Sequence, residues 1–110
     1  MRFHVRTLSR ADRDVHGILS YIAEHSKEGA TAWARAYDNA LARLEKSADS
    51  FPFAIENEYV DFEVREILFK TRRGLVYRAL FTIRETTVYV LHVRGPGQNL
   101  LDENELRRPK

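Results

Sequence analysis

The sequence predicts an α+β domain with the order β-α-α-β-β-β, in which a helical hairpin packs on one face of a small, mostly antiparallel four-stranded sheet. Three patterns predict this fold: an alternating segment at the start, two long segments with apolar residues every three or four positions, and three strand-like segments separated by hairpin-length turns. The 110 residues suffice for one hydrophobic core. We therefore expect one domain over residues 1–98 and a polar C-terminal tail over residues 99–110.

The first two elements follow from hydrophobic periodicity. Arg2–Thr7 alternates polar and apolar side chains, which is typical of a half-buried strand. Ser9 stands three residues before Asp12, a weak capping-box pattern that predicts a helix over about Arg10–His25. The apolar face of this helix consists of Val15, Ile18, Leu19 and Ile22.

A second helix is predicted to follow almost at once. Ser26 is a suitable N-cap for a helix that begins at Lys27, and Phe51-Pro52 ends the pattern. Its apolar stripe consists of Trp33, Tyr37, Leu41, Leu44 and Ala48. The very short connection makes the two helices antiparallel, and we interpret the aromatic residues of the stripe as core rather than as a platform for stacked bases.

Three strands are predicted after an irregular acidic stretch, over Glu63–Lys70, Leu75–Ile83 and Thr87–Arg94. Pairing of Ile83 with Thr87 across a three-residue turn would place Arg78 opposite His92. A four-residue turn after Lys70 would likewise place Arg65 opposite Leu80. On the helix-facing side we expect Tyr77, Ala79, Phe81, Ile83, Tyr89, Leu91 and Val93.

This register predicts a basic cluster on the open face of the sheet, formed by Arg65, Arg78, His92 and Arg94. Arginines can hold an RNA phosphate and stabilise transition-state charge, and a histidine can carry a proton, which together is metal-free ribonuclease chemistry. The alternative is that these side chains are the solvated side of an ordinary sheet. The residues alone leave both interpretations open.

Composition excludes several other classes of protein. The sequence contains no cysteine, which excludes disulfides, thiolate nucleophiles and cysteine-ligated metals, and its four histidines are scattered. We expect no cofactor and no metal. No apolar stretch is long enough for a membrane span and no signal-peptide pattern opens the chain, so we expect a cytoplasmic protein without membrane contact.

Charge is segregated along the chain although the net charge is only +2. Five acids and no Lys or Arg lie in the stretch from Asp49 to Glu63, whereas the stretch from Arg65 to Arg94 is strongly basic. A polarised surface of this kind suits an anion, an RNA backbone or an acidic protein partner.

Several strings, in this order and spacing, resemble the RelE/ParE superfamily of toxins from bacterial type II toxin–antitoxin systems. They are Leu8-Ser9-Arg10-Ala11-Asp12-Arg13-Asp14, Ile18-Leu19-Ser20-Tyr21-Ile22, Trp33, Val64-Arg65-Glu66-Ile67-Leu68, Val76-Tyr77-Arg78-Ala79-Leu80-Phe81-Thr82-Ile83 and Val88-Tyr89-Val90-Leu91-His92-Val93-Arg94. The resemblance spans roughly Phe3 to Gln98. It implies a toxin bound by a cognate antitoxin in a hetero-oligomer, with the antitoxin lying along the helical hairpin and the sheet edge.

The resemblance also implies two mechanisms of different class. RelE-like members cut messenger RNA on the ribosome, and Arg78 matches the position of their catalytic arginine; His92 and Arg65 would complete such a site. ParE-like members bind DNA gyrase, and the long hairpin and the Gly95-Pro96-Gly97-Gln98 string fit this branch better. Inhibition by binding is therefore preferred and a non-toxic binding module is the remaining alternative. The predicted binding residues are Arg65, Arg72, Arg73, Arg78 and Arg94.

Overall fold

A computed structural model describes residues 2–71, 74–98, 100–102 and 104–109. Its strands are β1 (His4–Thr7), β2 (Arg65–Lys70), β3 (Val76–Arg84) and β4 (Thr87–Arg94), and its helices are α1 (Ser9–His25) and α2 (Lys27–Ser47). Short 3₁₀ turns at Ala48–Ser50 and Ile55–Tyr59 lie between α2 and β2. The predicted α+β fold and element order are confirmed, with two helices packed on a four-stranded sheet.

The two helices begin differently. Ser26 caps α2 as predicted, because its hydroxyl accepts a hydrogen bond from the Gly29 amide at 2.9 Å. The predicted cap at Ser9 is wrong: Leu8 is the N-cap of α1 and makes no side-chain cap bond. The reason is that the Leu8 amide still bonds to the sheet, donating to the Val90 carbonyl at 3.0 Å, so the helix starts one residue earlier than expected.

The helix-facing core is built around an aromatic group, and the interpretation of Trp33 as a core residue is confirmed. Trp33 is fully buried and stacks on Tyr37, while Phe69 and Tyr77 meet it edge-on from the sheet. The ring centroids are separated by 5.4–5.6 Å, within the range of favourable aromatic pairs. These rings thus join α2 to the sheet.

The sheet has the order β1-β4-β3-β2, with β1 parallel to β4 and the other pairs antiparallel. The turn between β3 and β4 is one residue shorter than predicted, since Arg84 pairs with Thr87. A bulge then shifts the register from Phe81 opposite Val90 to Leu80 opposite His92. Each change moves the pairing by one position, so the predicted Arg78–His92 pair is wrong.

These shifts also reverse part of the predicted side-chain pattern on β4. Val88 and Val90 face the helices, whereas Tyr89 and Leu91 pack on the other side of the sheet. Val93 returns to the helix-facing core after the bulge, as predicted. The predicted orientation of Tyr89 and Leu91 is therefore wrong, because a one-residue change of register turns a strand over.

A second apolar cluster covers the sheet face that was expected to be open. Its buried members are Ala54, Val64, Leu80, Leu91, Leu101 and Leu106. Leu101 and Leu106 come from the C-terminal segment, and the 3₁₀ turn at Ile55–Tyr59 lies beside them. Both faces of the sheet are thus packed.

Among the helices of the described ranges, none has the length and apolar character that a membrane span requires.

Candidate functional site

Arg78 is the centre of the candidate site, on the sheet face turned away from the helices. Its neighbours Tyr77 and Ala79 point into the helix-facing core, so alternation directs Arg78 to the opposite side. Across the sheet, Arg78 lies opposite Arg94 on β4 and opposite Leu68 on β2. The two arginines thus occupy adjacent positions on one face.

Two carboxylates hold the Arg78 guanidinium. Its two terminal nitrogens donate to the two oxygens of Glu56, at 2.9 Å for Nη1 and Oε1. Nη1 also donates to Oε1 of Glu66 at 3.2 Å. The Arg78 side chain is 17% exposed and that of Glu56 is 0% exposed. This bidentate pair matches the geometry in which arginine binds carboxylates and phosphates most strongly.

Glu56 also connects Arg78 to the C-terminal segment. Its Oε2 accepts the Leu101 amide at 3.1 Å, and the Tyr59 hydroxyl donates to the Leu101 carbonyl. Burial raises the pKa of Glu56, but hydrogen bonds from Arg78 and backbone amides outweigh burial and leave the pKa below its usual value. The hydrogen bond with Glu56 raises the pKa of Arg78 above its usual value. Both groups are therefore charged at neutral pH.

His92 lies beneath the C-terminal segment and is 3% exposed. Its Nε2 donates to the Glu105 carbonyl at 2.8 Å, and its Nδ1 lies 3.5 Å from Oδ2 of Asp14 on α1. The same Asp14 oxygen accepts the Val93 amide at 3.0 Å. Burial raises the pKa of Asp14, but the contacts with His92, Val93 and Arg10 outweigh burial and leave the pKa below its usual value. In this arrangement His92 joins α1, β4 and the C-terminal segment.

Arg65 does not join the predicted cluster. It pairs with Phe81 rather than Leu80, because the loop between β2 and β3 is one residue longer than predicted. Its Nη1 donates to the Phe51 carbonyl at 2.6 Å, and its guanidinium lies 4.3 Å from the centre of the Phe53 ring. Arg65 thus anchors the segment that enters β2, away from Arg78.

The remaining predicted residues fall into two groups. Arg94 is half-buried and lies beside Arg78 on the sheet face turned away from the helices, as expected from the strand pattern. Arg72 and Arg73 lie outside the described residues. Of the predicted cluster, the structure therefore places Arg78 and Arg94 side by side, and His92 opposite Leu80, two positions along β3 from Arg78.

Sequence reasoning missed the carboxylates that neutralise the cluster, namely Glu56, Glu66 and Asp14. One signal pointed to Glu56: it belongs to the acidic stretch that precedes the basic strands. Charge complementarity between the two stretches predicts contact between them, although it does not say which residues pair. Among the described residues, no three His, Asp or Glu side chains converge in a way that could hold a metal ion.

A separate open groove of about 540 Å³ runs between α2 and the edge strand β2. Its helix side is formed by Ala36, Asn39, Ala40 and Arg43, and its sheet side by Leu68, Phe69, Lys70 and Val76. Leu68 is 52% exposed and Val76 is 44% exposed, which is unusual for large apolar side chains on adjacent strands. The groove lining thus combines apolar residues with two basic residues, Arg43 and Lys70.

The helix pair packed on a mixed sheet of order β1-β4-β3-β2 is a fold that also occurs in a solved toxin–antitoxin complex. A chain of the toxin–antitoxin complex RelBE2 from Mycobacterium tuberculosis has a similar structure. The two chains are 24% identical with a TM-score of 0.50, and the alignment covers 86% of this chain and 99% of the other. No protein-family model and no curated protein sequence matches this chain.

Proposed function

We propose that this protein is the toxin component of a type II toxin–antitoxin system, acts in the cytoplasm, and is neutralised by a cognate antitoxin. The observation that carries this proposal is the RelE/ParE-type fold, which the chain shares with a chain of a toxin–antitoxin complex over nearly its whole length. Induced expression alone should arrest bacterial growth, and co-expression of the small protein encoded by an adjacent gene should restore growth. Unchanged growth without that gene would contradict the role.

The preferred mechanism is inhibition by binding, with DNA gyrase as the target, rather than cleavage of RNA. The state of Arg78 supports this choice, because its guanidinium is already neutralised by Glu56 and Glu66. His92 supports it as well, since a histidine 3% exposed beneath the C-terminal segment cannot reach a hydroxyl of a bound RNA. Arg65 lies elsewhere. The three residues proposed for ribonuclease chemistry thus do not line one accessible site.

Two assays on one preparation separate the mechanisms. A gyrase inhibitor blocks supercoiling of relaxed plasmid and leaves translated messages intact, whereas a ribosome-dependent ribonuclease produces cuts within codons in primer extension. We expect blocked supercoiling and no cuts. Cleaved codons with normal supercoiling would overturn the preferred mechanism while leaving the toxin role in place. Normal supercoiling together with uncut messages would favour a non-toxic binding module.

The groove between α2 and β2 is the surface we propose for the antitoxin. An extended segment can lie along the open edge of β2 and place apolar side chains against Leu68 and Val76. Arg43 and Lys70 in the groove lining favour a segment that carries acidic residues. A disordered antitoxin that orders on binding would also shield these exposed apolar side chains from water.

Substitution at the groove tests this surface. Leu68→Asp should weaken the complex with the adjacent-gene protein by about 10- to 100-fold in calorimetry, because it places a charge where an apolar anchor and acidic neighbours would bind. Ile55→Asp is the matched control, since Ile55 is also an exposed apolar residue but lies outside the groove. Equal affinity of the two variants would place the antitoxin elsewhere.

A further inference from the structure

Arg78 has the geometry of an anion-binding residue, and a carboxylate of the same chain fills it. Both oxygens of Glu56 accept from the two terminal nitrogens of the guanidinium, the arrangement that arginine also uses for phosphate oxygens. Arg94 on the neighbouring strand adds positive charge to the same face. We propose that Glu56 is an internal lock on a phosphate-binding site at Arg78, and that loss of the Glu56 charge opens this site.

Burial explains why the lock is closed in the resting protein. Glu56 is fully buried, and a buried carboxylate is stable only when it remains paired. A phosphate group would have to displace Glu56 from Arg78 and leave that carboxylate without a counter-ion inside the protein. Such a displacement costs far more than an exposed phosphate–arginine contact returns.

The C-terminal segment completes the lock. Leu101 is buried, and its amide donates to the Glu56 oxygen that also meets Arg78. The segment therefore adds a further hydrogen bond that keeps the Glu56 carboxylate in place. Arg78 itself is 17% exposed, so a small anion can approach its Nη2 once Glu56 no longer competes for it, while Nη1 keeps its contact with Glu66.

One substitution can remove the Glu56 charge with little change in the shape of the side chain. Glu56→Gln keeps the size of the side chain and retains an oxygen that can accept the Leu101 amide, but removes the charge that competes with phosphate. Glu58→Gln is the matched control, because Glu58 lies on the same 3₁₀ turn, is exposed, and loses the same charge. This inference does not depend on the toxin role.

Fluorescence anisotropy with a short labelled single-stranded RNA, at about 50 mM and about 200 mM salt, measures the effect on a phosphodiester. We expect Glu56→Gln to bind at least about tenfold more tightly than the unsubstituted protein and Glu58→Gln, as a charge-assisted contact would produce. Adding Arg78→Ala should remove the gain. Competition by inorganic phosphate at millimolar concentration would show that a free phosphate suffices, and its absence would assign the site to the RNA backbone.

The proposal is overturned if folded Glu56→Gln binds RNA no better than Glu58→Gln. A second measurement uses the unsubstituted protein and so does not depend on how the variant folds. Inorganic phosphate is titrated while the guanidinium resonances are followed by NMR. The exposed Arg13 should shift and Arg78 should not; a shift of Arg78 at the same phosphate concentration would show that Glu56 does not lock it.

Discussion

The ion pair between Arg78 and Glu56 removes two charges from solvent, and the Glu56 charge depends on Arg78 for compensation, whereas Arg78 is also paired with Glu66. Arg78 Nη1 also donates to Glu66, and Glu56 Oε2 also accepts from the Leu101 amide. An isolated charge at this depth costs several kcal/mol, so the pair is expected to be strongly coupled in stability measurements. Arg65 shows the contrasting case of a charge held by a carbonyl and an aromatic ring.

Arg78→Met should lower the free energy of unfolding by about 3 kcal/mol, because it leaves the Glu56 carboxylate buried without its counter-ion. Adding Glu56→Gln should restore a large part of this loss, since a neutral amide needs no counter-ion. Urea unfolding of the two single variants and the double variant measures the coupling. Arg13→Met, at an exposed position of α1, should change stability by less than about 0.5 kcal/mol. Additive effects of the two substitutions would contradict the coupling.

Acid should destabilise the protein through the same residues. The pKa of Glu56 is lowered from 4.5 and that of Asp14 is lowered from 3.8 in the folded state, so the unfolded chain takes up these protons at higher pH than the folded chain does. Their stabilisation is therefore complete above the unfolded pKa values and is lost as pH falls through the lower folded values. Urea midpoints measured from pH 6 downward should decrease below about pH 4.5, and Glu56→Gln should reduce the slope. An unchanged slope in this variant would contradict the role of Glu56.

Among the elements, the β3–β4 hairpin departs most from the predicted geometry. Its turn is one residue shorter than expected, and a bulge follows at Leu91, so two separate one-residue changes bring Arg78 opposite Arg94. The short turn places Glu85 at a φ of 57°, in the left-handed region that favours glycine. A residue with a Cβ is strained there.

Glu85→Gly should therefore stabilise the protein by about 0.5–1 kcal/mol, after the greater entropy of glycine in the unfolded chain is subtracted. The increase should appear as a higher thermal midpoint. Thr86→Gly is the control, because Thr86 occupies the same turn without a positive φ and should lose stability. A gain in Thr86→Gly equal to that in Glu85→Gly would show that strain at Glu85 is not the cause.

At the scale of the whole molecule, the C-terminal segment is joined to several parts of the fold. His92 donates to the Glu105 carbonyl, and Arg84 donates to the Pro109 carbonyl. Arg108 forms an ion pair with Asp61 at 3.3 Å. Together with the buried side chains of Leu101 and Leu106, these contacts cover the sheet face opposite the helices.

Leu106→Ala should destabilise the whole domain by about 2–4 kcal/mol, because it opens a cavity in the second apolar cluster. Leu100→Ala, at a side chain that is 48% exposed, should cost less than about 1 kcal/mol. Thermal unfolding followed by circular dichroism compares the two variants. A small effect of Leu106→Ala, with loss of protection only in the C-terminal segment during hydrogen exchange, would indicate that this segment opens independently.

The local patterns of the sequence determined the elements and most of the helix-facing core. Apolar spacing located both helices, Ser26 marked the start of α2, and Trp33 was assigned to the core. These features depend on contacts between residues close in sequence or on burial of one face, so periodicity and capping residues report them directly. The resemblance to RelE/ParE toxins agreed with the fold that these elements form.

Only the tertiary structure decided which charged residues meet. Turn length and the bulge at Leu91 set the register. A one-residue difference placed Arg65 opposite Phe81, and two one-residue differences together replaced His92 by Arg94 opposite Arg78. Glu56 reaches Arg78 from 22 residues away along the chain. Its position depends on packing of Leu101 and Leu106 over the sheet. Long-range packing of this kind selects the charged partners, and local periodicity in the sequence does not encode it.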